Sequence, residues 1–81
     1  MNRNLSDIAK EILQNWKNPY SGAKPYLQAM LLINSADPKA PYLAETAEDI
    51  VAYFLANATT FRGETARRIK AELKKQYNIN F

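Results

Sequence analysis

Arg62, Arg67, Lys70 and Lys74 fall within "TTFRGETARRIKAELKKQ", residues 59 to 76 of this 81-residue chain. Three of them, at 67, 70 and 74, recur at the three- and four-residue steps that gather side chains on one flank of a helix. Lysine and arginine grouped in this way can hold an anion, and a phosphate backbone is the extended anion such a row suits. Glu64, Arg68 and Glu72 are spaced four apart, which puts Arg68 between two carboxylates, with Lys75 also in reach of Glu72. The spacing therefore predicts a neutralised flank holding Arg68 and Lys75, and a bare flank holding Arg67, Lys70 and Lys74. Arg62 stands at the helix entrance without a local acid. Lys70 and Lys74 also complement the negative end of the helix dipole, a structural reason for their presence that Arg62 and Arg67 lack.

Other chemistries are excluded by composition. The chain has no cysteine and no histidine, which removes disulfides, thiolate or imidazole zinc sites and the Cys/His and Ser/His nucleophile systems. Of the acids, Asp7, Asp37 and Asp49 read as first-turn or turn residues, and adjacent Glu48 and Asp49 fall on different helix faces, so they cannot share a proton. No glycine-rich phosphate loop or metal-ligand spacing is present. The expectation is a protein that is not an enzyme and needs no cofactor or metal. The segment "MNRNLSDIAKEIL" carries charges where a signal peptide needs an apolar core, and "AMLLI" is too short to span a bilayer, so a cytoplasmic protein with no membrane contact is expected.

Residues 62 to 75 hold six basic side chains against two acidic ones, whereas the rest of the chain holds five basic and six acidic. The basicity belongs to one segment, and the elements around it must present it. Leu5, Ile8, Ala9, Ile12, Leu13 and Trp16 form the apolar stripe of a first helix, with Ser6 as its cap, Leu5 as a staple and Asn18-Pro19 as its end. Pro25 opens a second helix over residues 25 to 34, with Tyr26, Leu27, Met30 and Leu31 inward. A third spans 42 to 57 with Leu43, Ala47, Ile50, Val51, Phe54 and Leu55 on one side. Thr59 or Thr60 caps a fourth that runs to about residue 77, with Ala66, Ile69, Leu73 and Tyr77 as its core stripe. Gly63 falls inside its start, and Ile79 and Phe81 fold back from the tail. The fold class predicted for residues 1–81 is all-α, one compact four-helix domain, with helices three and four disposed as a helix-turn-helix.

"YFLANATTFRGETARRIKAELKK", with "LSDIAKEI", Trp16 and "PYLQAM" upstream, resembles small uncharacterised helical proteins of phages and integrative elements of Gram-positive bacteria. The resemblance implies an accessory protein of a mobile genetic element and assigns no site residue. Two partner classes follow from the residues themselves. In duplex DNA binding, Arg62, Thr65 and Arg67 approach bases or phosphates, while Lys70 and Lys74 meet the backbone. The alternative is a protein target or a homodimer, since tyrosine and arginine anchor interfaces and Tyr20, Tyr26 and Tyr42 each stand in a Pro-Tyr pair.

Overall fold

Leu5, Ile8, Ala9, Ile12 and Trp16 are buried along one side of α1 (Leu5–Asn15), as the stripe predicts. The computed structural model describes residues 2–80, so the expected inward turn of Phe81 lies outside the described residues. Leu13 sits at the edge of the stripe and is half exposed, where it lines a small apolar cleft with Leu27 and Leu31 of α2 (Lys24–Leu32). Ser6 does not cap α1. Its hydroxyl is buried against Asn34 Oδ1 at 3.3 Å, and the amides of Leu5 and Ser6 donate to the carbonyls of Ser35 and Ile33. The loop after α2 thus satisfies the helix start, a tertiary solution that local spacing does not reveal.

Pro25 occupies the first turn of α2 (Lys24–Leu32), where its missing N–H is harmless. Leu27, Ala29 and Met30 face inward, Tyr26 and Leu31 are half buried, and Leu32 is exposed.

The expectation of an all-α chain is corrected at residues 41 to 46. Pro41–Tyr42 (β1) pairs antiparallel with Glu45–Thr46 (β2), and Leu43-Ala44 forms the two-residue turn between them. Leu43 has φ 56° and is 90% exposed, so it is a turn residue and not part of the core side of a helix. Holding a leucine in this left-handed region costs roughly 1–2 kcal/mol. The third helix accordingly begins later, as α3 (Ala47–Ala56), behind a capping box. Thr46 Oγ1 and Asp49 Oδ2 lie 3.0 Å apart, and the Thr46 amide donates to the same carboxylate at 3.2 Å. Ala47, Ile50, Val51, Phe54 and Leu55 are all buried.

Residues 57 to 63 connect α3 to α4 (Glu64–Gln76) and drop Ala58 and Phe61 into the core. The Phe61 ring stacks on Trp16 at 5.1 Å, and Phe54 meets Trp16 edge-on at 6.3 Å. Neither Thr59 nor Thr60 caps α4. Gly63 does so with φ 111° and ψ −179°, outside the helix and in a region open only to glycine. Ala66, Ile69, Leu73 and Tyr77 are buried in register with the predicted stripe. At its far end Asn78 adopts φ 55°, the Ile79 amide donates to Lys74 O at 2.8 Å, and the Asn78 amide donates to Lys75 O at 3.4 Å. That 6→1 and 5→2 pairing is a Schellman stop, and it turns Ile79 back onto the core. In the resulting bundle α1 packs between α2 and α4, and α2 packs against α3. Among the described residues no helix is long and apolar enough to cross a membrane.

Candidate nucleic-acid interface

α4 is placed by its four buried apolar residues, and the position of every other side chain on it follows from the helical repeat. Taking about 100° per residue, Thr65, Arg68, Glu72 and Gln76 lie on the flank that turns toward α1. Lys70, Lys74 and Arg67 lie on the opposite flank, and Glu64, Ala71 and Lys75 form the outward crest between. Thr65, named from sequence with the cations, is therefore on the other side of the helix and half buried.

The flank toward α1 is neutralised, but not by the predicted intrahelical ladder. Glu72 is taken by Arg3, whose Nε donates to Oε2 at 2.8 Å and whose Nη2 donates to Oε1 at 2.6 Å. The same Arg3 Nη2 lies 2.9 Å from Glu11 Oε1, and Arg68 is held by the other Glu11 oxygen. A chain of alternating charge, Arg68–Glu11–Arg3–Glu72, thus sews α1 and the residues before it to α4. Gln76 Nε2 adds a bond to the Arg3 carbonyl at 2.8 Å. The Arg68 hydrogen bond holds the Glu11 carboxyl below the ordinary glutamate value; partial burial opposes this and Arg3 reinforces it.

On the other flank, among the described residues, no carboxylate comes within ion-pair distance of Arg62, Arg67, Lys70 or Lys74. Acids from other elements that might have folded over them are placed elsewhere. Glu48 pairs with Lys39, Asp37 accepts the Lys39 amide at 2.9 Å, and Glu45 lines a groove beside α2 and α3. Lys70 is half buried with its ammonium 5.8 Å from the centre of the Phe61 ring. Burial, followed by the charges of Lys74 and Arg62, pulls its pKa below the ordinary lysine value. Arg62, exposed, donates from Nε to Thr59 O at 3.2 Å and keeps its terminal nitrogens free of hydrogen bonds within the described residues.

Sequence spacing misses Lys75. Because Arg3 captures Glu72, Lys75 has no ion-pair partner among the described residues and joins the bare set. With Lys74, Asn78 and Asn80 it borders an open depression of about 610 Å³ at the C-terminal end of α4. The unneutralised surface therefore runs from Arg62 along Arg67, Lys70 and Lys74 to Lys75, with Glu64 as the one acid on the crest. No family model, curated protein or solved structure matches this chain. Among the described residues no group of three or more acids is placed to hold a metal ion.

Proposed function

We propose that this chain is a non-enzymatic accessory or regulatory protein that binds duplex DNA through the bare side of α4, in the setting of a mobile genetic element that the sequence resemblance implies. The observation that carries the reading is the sorting of charge. Arg3 and Glu11 consume the acid of α4 that could have reached Lys75 and the cation that lies nearest α1, and among the described residues Arg62, Arg67, Lys70, Lys74 and Lys75 are left without a carboxylate partner. Same-sign charges held together lower one another's stability, and an anion at the surface relieves that repulsion.

The contact fits the phosphate backbone better than base edges. A helix-turn-helix use of α3 and α4 would aim Arg62, Thr65 and Arg67 into a groove, but seven residues join these helices where that motif uses three or four, and α4 packs chiefly on α1. Thr65 faces away from the cations, which removes the short polar side chain best suited to a base edge. Long cations on an open helix face instead reach phosphates and give binding with little sequence preference.

Fluorescence anisotropy of a labelled duplex, titrated with salt, tests this. Wild type binds at low salt, with affinity falling steeply as salt rises. Arg67→Ala and Lys75→Ala each weaken binding and reduce the magnitude of the logarithmic salt slope by about 0.9. Arg68→Ala, whose charge is already spent on Glu11, changes it less. Equal effects at 67 and 68 reject the sorting of flanks, and no binding at low salt rejects DNA as the partner.

A further inference from the structure

A second surface, away from α4, has the opposite electrostatic character. Tyr26 from α2, Tyr42 from β1, Glu45 from β2 and Tyr53 from α3 border one open groove of about 400 Å³, floored by Ile50. The Tyr26 and Tyr53 rings stand 5.5 Å apart at 40°, packed on each other along the groove lining. Glu45 is the one charged residue on its lining. Among the described residues its carboxylate has no ion-pair or hydrogen-bond partner, although it is only partly exposed. The neighbouring acids are occupied, Glu48 by Lys39 and Asp49 by the capping box, and Lys24 lines a separate cleft.

At the rim the hairpin places Leu43, 90% exposed, in a left-handed backbone conformation that glycine would adopt freely. A strained, solvent-facing leucine does nothing for the core and supplies an apolar contact beside the groove. Aromatic faces carry negative potential and attract a cation within about 6 Å of the ring centre. Three tyrosines and one unpaired carboxylate on a single groove lining make a receptor for positive charge. Guanidinium suits it better than ammonium, because its plane stacks on tyrosine while its fork pairs with a carboxylate.

We propose that this groove binds an arginine side chain presented by a polypeptide partner. Charge complementarity fixes the class of partner. A basic segment is repelled by the cations of α4 and drawn to the unpaired Glu45, whose charge disfavours a phosphate backbone at the groove. The site shares no residue with α4, so the protein can hold a basic partner on one side with its cationic face still free.

The test uses a short peptide with one central arginine between leucines and a matched peptide with citrulline, which keeps the shape and loses the charge. Binding is followed by amide chemical shifts of the full chain. The arginine peptide is expected to shift the signals of Tyr26, Tyr42, Glu45 and Tyr53, and the citrulline peptide to bind about tenfold more weakly. Glu45→Gln should lower arginine-peptide affinity by a similar factor, and Tyr53→Leu, which keeps apolar bulk without a ring face, should lower it severalfold. Leu43→Gly, which relaxes the turn, keeps the chain folded and weakens the peptide through loss of the rim contact. Equal binding of the two peptides, shifts confined to α4, or no binding at all overturns the proposal. A concentration-dependent dimer abolished by Glu45→Gln also overturns it, because an arginine of a second copy would then be the occupant.

Discussion

Arg3 and Glu72, separated by 69 positions in the chain, meet through two parallel hydrogen bonds of 2.8 and 2.6 Å. The forked guanidinium matches both carboxylate oxygens, a geometry that holds direction as well as charge. It closes the bundle by tying the residues before α1 to the last helix. It also decides which charges on α4 remain available, since a glutamate held by Arg3 cannot turn to Lys75 one helical step away. Packing and surface electrostatics are thus set by the same contact.

Replacing Arg3 separates these roles. Arg3→Met leaves Glu11 and Glu72 facing each other across the α1–α4 seam without their common cation, at a site only partly shielded from solvent. Chemical denaturation is expected to show a loss of about 1 kcal/mol, because Glu72 loses its only ion-pair partner among the described residues and Glu11 keeps Arg68 alone. The freed Glu72 can then pair with Lys75, so affinity for duplex DNA should also fall although Arg3 lies on the neutralised side. A loss of stability with DNA affinity unchanged would show that Glu72 does not control Lys75.

The acid limb of the stability curve reports on Glu11. Hydrogen bonding to Arg68 first, and to Arg3 after, holds its carboxyl below the ordinary value of 4.5, with desolvation opposing. A depressed carboxylate stabilises the fold above its unfolded pKa, and that contribution drains away as pH falls from about 4.5 through the lowered folded value. Glu11→Gln should therefore be less stable at neutral pH by about 0.5–1 kcal/mol, and the gap should close at strongly acid pH. Denaturation midpoints measured across the acid range check this. A gap that is constant with pH would mean that packing, and not charge, is what the substitution removes.

Much of this fold is written in apolar spacing, because a buried stripe is a local pattern with a period. Ala66, Ile69, Leu73 and Tyr77 are all buried as their three- and four-residue steps require, and so are Leu5, Ile8, Ala9, Ile12 and Trp16. Helix starts are legible only when the capping groups are close in sequence. Thr46 and Asp49 form a capping box three residues apart, a signal that could have moved the start of α3 away from Tyr42. The start of α1 is satisfied by Ile33 and Ser35, from another part of the chain, and no local rule reaches that far. The charge site divides in the same way. The bare state of Lys70 and Lys74 follows from the absence of acids at helical spacing. Arg67 has Glu64 three positions before it, yet the two do not pair, and among the described residues Lys75 lacks an ion-pair partner because Arg3 takes Glu72, a role with no signature around position 75.

Gly63 tests the reading of the α4 start. Sequence spacing puts it inside the helix, where replacement by alanine would raise helix propensity and stabilise by up to about 1 kcal/mol. At φ 111° and ψ −179° it stands outside the helix instead, with open space where a Cβ would project. Sterics with neighbours therefore contribute nothing, and backbone strain alone sets the effect. Gly63→Ala should destabilise by about 1–3 kcal/mol in equilibrium unfolding. Stabilisation would place the glycine in a helical conformation.

Lys70 discriminates a working cation from a structural one. Its ammonium lies over Phe61, and its pKa is lowered by burial, then by Lys74 and Arg62. A lysine whose folded pKa is depressed carries its charge against the fold: the penalty is present at neutral pH and is relieved as pH rises through the lowered value toward 10.5. Lys70→Met removes the charge while an unbranched, polarisable side chain still covers the Phe61 ring. Removing the like-charge pair at 70 and 74 gains about 0.2–0.5 kcal/mol and losing the ammonium–ring contact costs about 0.5–1 kcal/mol, so the chain should unfold within about 0.5 kcal/mol of wild type. Duplex binding should weaken, and its salt slope should fall in magnitude by about 0.9, because one phosphate contact is lost. A cation kept for the fold would give the reverse pair of results, with stability down and binding untouched. Measuring both on the same variant therefore decides whether the repulsion stored along α4 is there for an anion.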